Sequence, residues 1–202
     1  MEKICVFCGS SFGSDEAYSE AARALGKTLL NHNLGLVYGG GHVGLMGEIA
    51  RTVLEGGGHV TGVIPQALAD RELAYKEVND MRVVNSMHER KALMAELSDG
   101  FIAMPGGLGT MEEFFEVITW SQLAFHNKPC GLLNVKGFYD QLIRFIDGMV
   151  EKEFVDASNR EMILIDDNPE ALIFKMKNNA PSQVDKVEKA LKAKRDRGFH
   201  ST

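Results

Sequence analysis

Cysteine is sparse in this chain of 202 residues: three in all, an odd number that cannot form a paired disulfide framework and that suits a reducing compartment. Long apolar runs are missing too, so neither a membrane span nor a secretory leader is expected. Basic residues are in deficit: 22 Lys and Arg stand against 28 Asp and Glu, a net charge of −6. That balance excludes a broadly cationic surface for nucleic acid, though it leaves room for a small basic pocket that holds one anion. No repeat, low-complexity stretch or interdomain linker interrupts the chain. With 45% hydrophobic and 25% charged residues it should fold as one domain, soluble and cytoplasmic.

Glycine is the abundant residue, 21 of them in clusters. The clusters punctuate an alternation of short apolar strands and amphipathic helices. Strands are expected at Ile4–Cys8, Leu34–Tyr38, His59–Ile64, Met81–Val84, Phe101–Met104, Pro129–Asn134 and Met162–Ile165. Helices should start near Asp15, Gly44, Ser86, Thr110, Phe138 and Pro169, with Asp15 as a cap. This pattern predicts an α/β fold, a doubly wound, Rossmann-like parallel sheet with helices on both faces. The catalytic domain should occupy residues 1–178, leaving 179–202 as a charged helix or tail.

Three glycine-rich loops each join a strand to a helix: Gly9-Ser10-Ser11, Gly39-Gly40-Gly41-His42-Val43-Gly44 and Pro105-Gly106-Gly107-Leu108-Gly109-Thr110. Glycine lets backbone N–H groups approach a ligand, and a helix N-terminus offers unpaired donors, so a phosphate-bearing ligand is expected. Neither the dinucleotide fingerprint nor a P-loop is present, which removes support for hydride transfer and ATP hydrolysis. Thr110-Met111-Glu112-Glu113 fits a capping box, and the spacing alone favours that reading; the alternative aims Glu113 at the uncharged part of a ligand. Arg90 falls on the apolar stripe of Met87, Met94 and Leu97, with Lys91 at its edge. A cation there needs a buried carboxylate partner, an anionic ligand or a route to the surface. Cys5 and Cys8 should point to opposite faces of their strand, and Cys130 reads as core. No cysteine or histidine spacing makes a metal site, so no metal and no cofactor is expected; His42 and His88 are possible loop ligands, and neither is taken as a site residue.

Pro105-Gly106-Gly107-Leu108-Gly109-Thr110-Met111-Glu112-Glu113, preceded by Met87-His88-Glu89-Arg90-Lys91, resembles the LONELY GUY family of cytokinin riboside 5'-monophosphate phosphoribohydrolases. Cys8-Gly9-Ser10-Ser11, Tyr38-Gly39-Gly40-Gly41 and Thr119-Trp120-Ser121-Gln122-Leu123 resemble it as well; Glu89 departs from an expected Gln. The resemblance spans about Ile4 to Phe174. It implies a Rossmann-like homodimer that hydrolyses the N-glycosidic bond of a purine nucleoside 5'-monophosphate, AMP or a cytokinin riboside monophosphate. It makes Arg90 and Glu113 catalytic. Substrate binding falls to Gly9, Ser10, Gly40, Gly41, Met87, Lys91, Gly106, Gly107, Gly109, Thr110 and Thr119, with Glu72 a further contact from the partner subunit. Arg90 could hold the phosphate or assist base departure. The alternative is a non-catalytic nucleotide carrier or sensor on the same fold, and retention of Glu113 argues against it. The lysine decarboxylase label that many relatives carry would need a lysine set for pyridoxal phosphate, and none stands in a matching place.

Overall fold

The computed structural model of the chain describes residues 1–71 and 74–178. Glu72 and the tail 179–202 lie outside the described residues. Seven strands form one parallel sheet: β1 (Lys3–Phe7), β2 (Gly35–Tyr38), β3 (Val60–Pro65), β4 (Asp80–Val84), β5 (Gly100–Ala103), β6 (Cys130–Leu133) and β7 (Ile163–Asp166). Their order is β4-β3-β2-β1-β5-β6-β7. The helices are α1 (Glu16–Asn31), α2 (Gly44–Glu55), α3 (Gln66–Ala69), α4 (Met87–Glu96), α5 (Leu108–Gln122), α6 (Asp140–Glu151), α7 (Ala157–Glu161) and α8 (Pro169–Asn178). Every expected strand is present within a residue or two of its expected ends. The short α3 and α7 carry no apolar period of their own and were not expected.

The central strands are near-continuous apolar runs because both faces are covered. On one side Ile4, Val6, Leu36 and Tyr38 pack against α1, α2 and α8; on the other Cys5, Phe7, Val37 and Phe101 pack against α4, α5 and α6. Cys8, just after β1, lies on the first side, so the Cys5 and Cys8 thiols do face opposite ways. All three cysteines are free and buried. Burial raises their thiols, Cys130 to about 12, and leaves them inert as nucleophiles. Asp15 caps α1 as expected, accepting from the Ala17 N–H at 2.9 Å.

The chain builds outward from β1 to β4, then crosses back through α4 to place β5 on the other side of β1. The connections therefore leave β1 and β5 in opposite directions. In open α/β sheets a crevice opens at the carboxyl ends of two such strands. Here β1 and β5 are paired through Phe7 and Ala103, and the next residues are Cys8-Gly9 and Met104-Pro105-Gly106.

Candidate active site

Two of the three glycine loops meet directly above that switch point. The Gly9 N–H donates to the Pro105 carbonyl at 3.1 Å, and the Met46 N–H donates to the Gly9 carbonyl at 3.3 Å. Packing explains several glycines. A Cβ on Gly106 would lie 2.1 Å from Thr110 Oγ1, and one on Gly44, at φ +65°, would strike the Ser10–Ser11 backbone at 2.3 Å. Gly40, at φ +76°, is held under the segment that returns from α3, where the Tyr75 N–H donates to its carbonyl at 2.9 Å. Gly40 and Gly41 are both buried, so they shape the floor, while Ser10, Gly107 and Gly109 are exposed.

Gly107 and Gly109 are different, because a Cβ on either would meet nothing within 4 Å. Gly107 caps α5 without a side-chain bond, so the N–H groups of the first turn have no internal partner, and the positive end of the helix dipole faces the crevice. A helix start of this kind is able to hold an anion. Beside it a cavity of about 220 Å³ is walled by Phe12, Tyr18, Leu45 and Phe138 and floored by Gly9 and Gly106. Tyr18 and Phe138 meet edge to face at 5.8 Å.

Glu113 does not close a capping box. The helix begins at Leu108, two residues before Thr110, so Thr110 sits buried inside the first turn, and Glu113 turns away from the helix start. Its Oε1 accepts from Arg90 Nη1 at 2.5 Å, with both side chains about nine-tenths buried. Arg90 reaches there from α4 past β3, where its Nε donates to the Val63 carbonyl at 3.1 Å. The guanidinium reaches over Gly39: a Cβ there would stand 2.0 Å from Nη2. Arg90 thus finds the buried carboxylate its place on the stripe demands. Met94 of that stripe is buried, but Met87, at the first turn of α4, is 46% exposed and does not pack. Burial raises the Glu113 carboxyl above the usual range, and the Arg90 charge and hydrogen bond work against that rise without cancelling it.

Lys91 is paired with carboxylates of α5. Its Nζ is held by Glu112 and, at 3.0 Å, by Glu116, and these partners raise its pKa. Glu112 and Glu116 escaped the sequence reading; their signal was the four-residue spacing on α5 facing an adjacent Arg-Lys pair on α4. Thr119 is also set apart. It is exposed, donates to the Phe115 carbonyl at 2.7 Å, and lines an apolar hollow toward α6 and α7. Glu89, the departure from the expected Gln, accepts from the Asn85 N–H at 2.8 Å while Ser86 Oγ accepts from the Glu89 N–H, so it serves the start of α4. No group of three or more His, Cys, Asp or Glu able to hold a metal exists among the described residues.

A family model described as possible lysine decarboxylase matches residues 46–176. A rice protein (Oryza sativa subsp. japonica) named probable cytokinin riboside 5'-monophosphate phosphoribohydrolase LOGL6 is 51% identical over 93% of this chain and 74% of its own length. The Arabidopsis thaliana cytokinin riboside 5'-monophosphate phosphoribohydrolase LOG3 is 51% identical over 90% of this chain and 84% of its own. Among solved structures, a molybdenum cofactor carrier protein from Chlamydomonas reinhardtii superposes with a TM-score of 0.67 at 23% identity, covering 87% of this chain and 95% of that one. At that identity the likeness carries the fold alone.

Proposed function

The chain belongs to the LONELY GUY family of phosphoribohydrolases, and on that premise we propose that it hydrolyses the N-glycosidic bond of a purine nucleoside 5'-monophosphate, AMP or a cytokinin riboside 5'-monophosphate. The products are free base and ribose 5-phosphate. The observation that carries the reading is the buried Arg90–Glu113 pair one turn beyond an uncapped helix N-terminus. The phosphate binds at the Gly107–Thr110 turn, through backbone N–H groups of α5 and of the loop that follows Gly9, whose own N–H is taken by the Pro105 carbonyl. That places the ribose toward Glu113.

Cleavage leaves positive charge on C1' and its ring oxygen, and Glu113 stabilises that charge where it develops. A water oxygen bonds to C1', the bond from C1' to the base nitrogen breaks with its electron pair going to the base, and the water's proton ends on the base. At about 4 Å and an effective dielectric near 20, one carboxylate contributes up to ~4 kcal/mol. That is on the order of a thousandfold in rate. Arg90, anchored on Val63 and paired already, orients Glu113 and keeps it charged; the phosphate is better served by the unpaired N–H groups.

The decarboxylase description fits less well. A Schiff-base lysine needs a lowered pKa, and Lys91, beside the pair, is pushed the other way by Glu112 and Glu116. A passive carrier would have no use for a buried carboxylate next to a phosphate site.

We also infer that the protein works as a homodimer in the cytoplasm. The cavity beside α5, about 220 Å³, falls short of the roughly 300–1,000 Å³ of sites that enclose a drug-sized ligand, so one chain covers part of a nucleotide. Thr119 and Glu72 would then complete the partner's site. No described helix is long and apolar enough to cross a membrane.

The test is adenine release from AMP and from adenosine at matched concentrations. A charge-assisted phosphate contact is worth about 1.5–3 kcal/mol, so two or three predict a preference for AMP of about a thousandfold or more. Part of that loss falls on turnover, because a remote group's binding energy positions the sugar. Comparable rates on adenosine would overturn the phosphate assignment.

A further inference from the structure

The cavity of about 220 Å³ beside the start of α5 is not on the side where the buried ion pair stands. Strand order decides this. Arg90 is anchored on Val63 of β3 and lies over Gly39, just past β2, whereas Phe138 of the cavity wall follows β6. In the sheet β2 and β3 lie on one side of the β1–β5 switch point, and β6 lies on the other. Gly9, Gly106 and Gly107, which line the cavity, follow β1 and β5 at the switch point itself. A nucleotide whose ribose points to Glu113 therefore leaves the cavity to whatever its phosphate carries.

The walls are aromatic and firmly held. Phe12 is 48% and Phe138 42% exposed, so each keeps much of its surface open to a guest. Phe138 is fixed by edge-to-face contacts with Tyr18 at 5.8 Å and with the buried Tyr139 at 4.9 Å. Gly13, at φ +76°, passes so close to the Tyr18 ring that a Cβ would strike it at 2.8 Å. Two residues before Phe138, Lys136 holds a left-handed backbone at φ +51°, which costs energy for a residue with a side chain. Its Nζ donates to Asp15 Oδ2 at 2.5 Å, and Asp15 caps α1, so the two segments that carry the walls are tied together. Among the described residues no charged side chain lines the cavity, so a second phosphate would find no cation there. An apolar cavity of about 150 Å³ holds a benzene ring, and this one has room for a single flat ring system.

We propose that the cavity is a second subsite of the same crevice, one that takes a flat aromatic ring esterified to the 5'-phosphate. The ligand class then includes aromatic 5'-phosphodiesters of a purine nucleoside, two nucleosides joined through one phosphate among them. Doubly wound sheets hold two-ended ligands of this kind across the point where the strand order reverses. The proposal rests on the reading that places the phosphate at the Gly107–Thr110 turn.

The experiment measures dissociation constants by calorimetry on the full chain carrying Glu113→Gln, so that binding is read without turnover. The probes are adenosine, AMP, and the methyl, cyclohexyl and phenyl esters of AMP at its phosphate. The three esters carry the same charge and differ only in what they offer the cavity. The phenyl ester should bind about tenfold more tightly than the methyl ester, the scale of one ring stacked on an aromatic side chain. It should also exceed the cyclohexyl ester by at least about threefold, because ring pairs gain beyond the area they bury. Phe12→Ala and Phe138→Leu should each cut the phenyl advantage over methyl at least about threefold, with the fold checked by Tm. Each variant is its own reference, since the ratio of two esters cancels any general loss of nucleotide affinity. Equal affinity for the three esters, a cyclohexyl ester as tight as the phenyl, or a phenyl advantage that survives both substitutions would overturn the proposal. AMP bound no more tightly than adenosine would overturn the phosphate reading and the subsite with it. AMP bound tightly with the three esters alike would remove the subsite alone.

Discussion

At the scale of single residues the site depends on one buried ion pair and on the glycine beneath it. Glu113→Gln keeps a hydrogen-bond acceptor for Arg90 but removes the charge. It should fold with a Tm within a few degrees of wild type and lose about two to three orders of magnitude in turnover, the range for one electrostatic stabiliser. A variant that loses Tm and keeps its rate would return Glu113 to a capping role. The sign of the pH effect follows from burial. Glu113 is raised, so the folded chain holds its proton to higher pH than a free glutamate does. The active, ionised form is lost as pH falls through that raised value, and the acid limb of kcat/KM should lie above the ordinary glutamate value of about 4.3. Gly39→Ala tests the same pair from below. Its Cβ would strike the far end of the Arg90 side chain at 2.0 Å and press on Met46 Sδ at 3.2 Å, both of them on flexible side chains, so the fold should be kept. The guanidinium must nevertheless move, and turnover should drop at least about tenfold if a small misplacement is costly there. Wild-type rates in Gly39→Ala would mean that the Arg90 position is not critical.

Among the elements, α5 shows why some features were legible in the sequence and others were not. Its existence and approximate span were readable because Phe114, Val117 and Ile118 recur at helical spacing and a glycine-rich loop precedes them. Its first turn was not. Thr110 and Glu113 match a capping box, but local pattern cannot see that Arg90, more than twenty residues earlier, would offer Glu113 a buried cation. Arg90 itself was legible as an anomaly, because a cation on an apolar stripe requires something opposite it; which carboxylate answered was a matter of tertiary packing. The same limit hid Glu112 and Glu116 behind Lys91. Gly109 distinguishes the structural demands of α5 from its functional ones. A glycine in the first turn of a helix costs up to about 1 kcal/mol against alanine, and a Cβ there meets no protein atom. Gly109→Ala should therefore raise Tm in a thermal melt. If the phosphate lies against this turn, the same change should raise KM for AMP severalfold or more. A variant that is both more stable and unaltered in KM would move the phosphate elsewhere.

For the whole molecule, the doubly wound order was legible in outline because apolar strands buried on both faces lack the alternation of a half-exposed sheet. The switch point between β1 and β5 was not, since no local signal says that the chain after α4 crosses to the far side of β1. That crossing brings Gly9 against Pro105 and Gly106 and sets the Gly107–Thr110 turn on the same helix as Glu113. It also leaves surface without a partner in one chain. Leu108, at the mouth of the crevice, is 91% exposed, Phe125 beyond the end of α5 is 73% exposed, and Phe154 after α6 is 80% exposed. Scattered exposed apolar residues need no explanation, but these share a molecule with Thr119 on the outer side of α5 and with a cavity of only about 220 Å³. A second copy that covers the outer side of α5 would account for all three. The expected outcome in sedimentation at micromolar concentration is therefore a dimer mass. Thr119 provides the finer test, because its helical position carries it away from the Glu113 of its own chain. Thr119→Ala should then raise KM in the homodimer. A mixed dimer of Thr119→Ala chains with Glu113→Gln chains should recover up to about a quarter of wild-type activity in a random mixture, through the one site that gains both intact groups, when each parent contributes little. A monomer mass at micromolar concentration, or no recovery on mixing, would confine each site to a single chain.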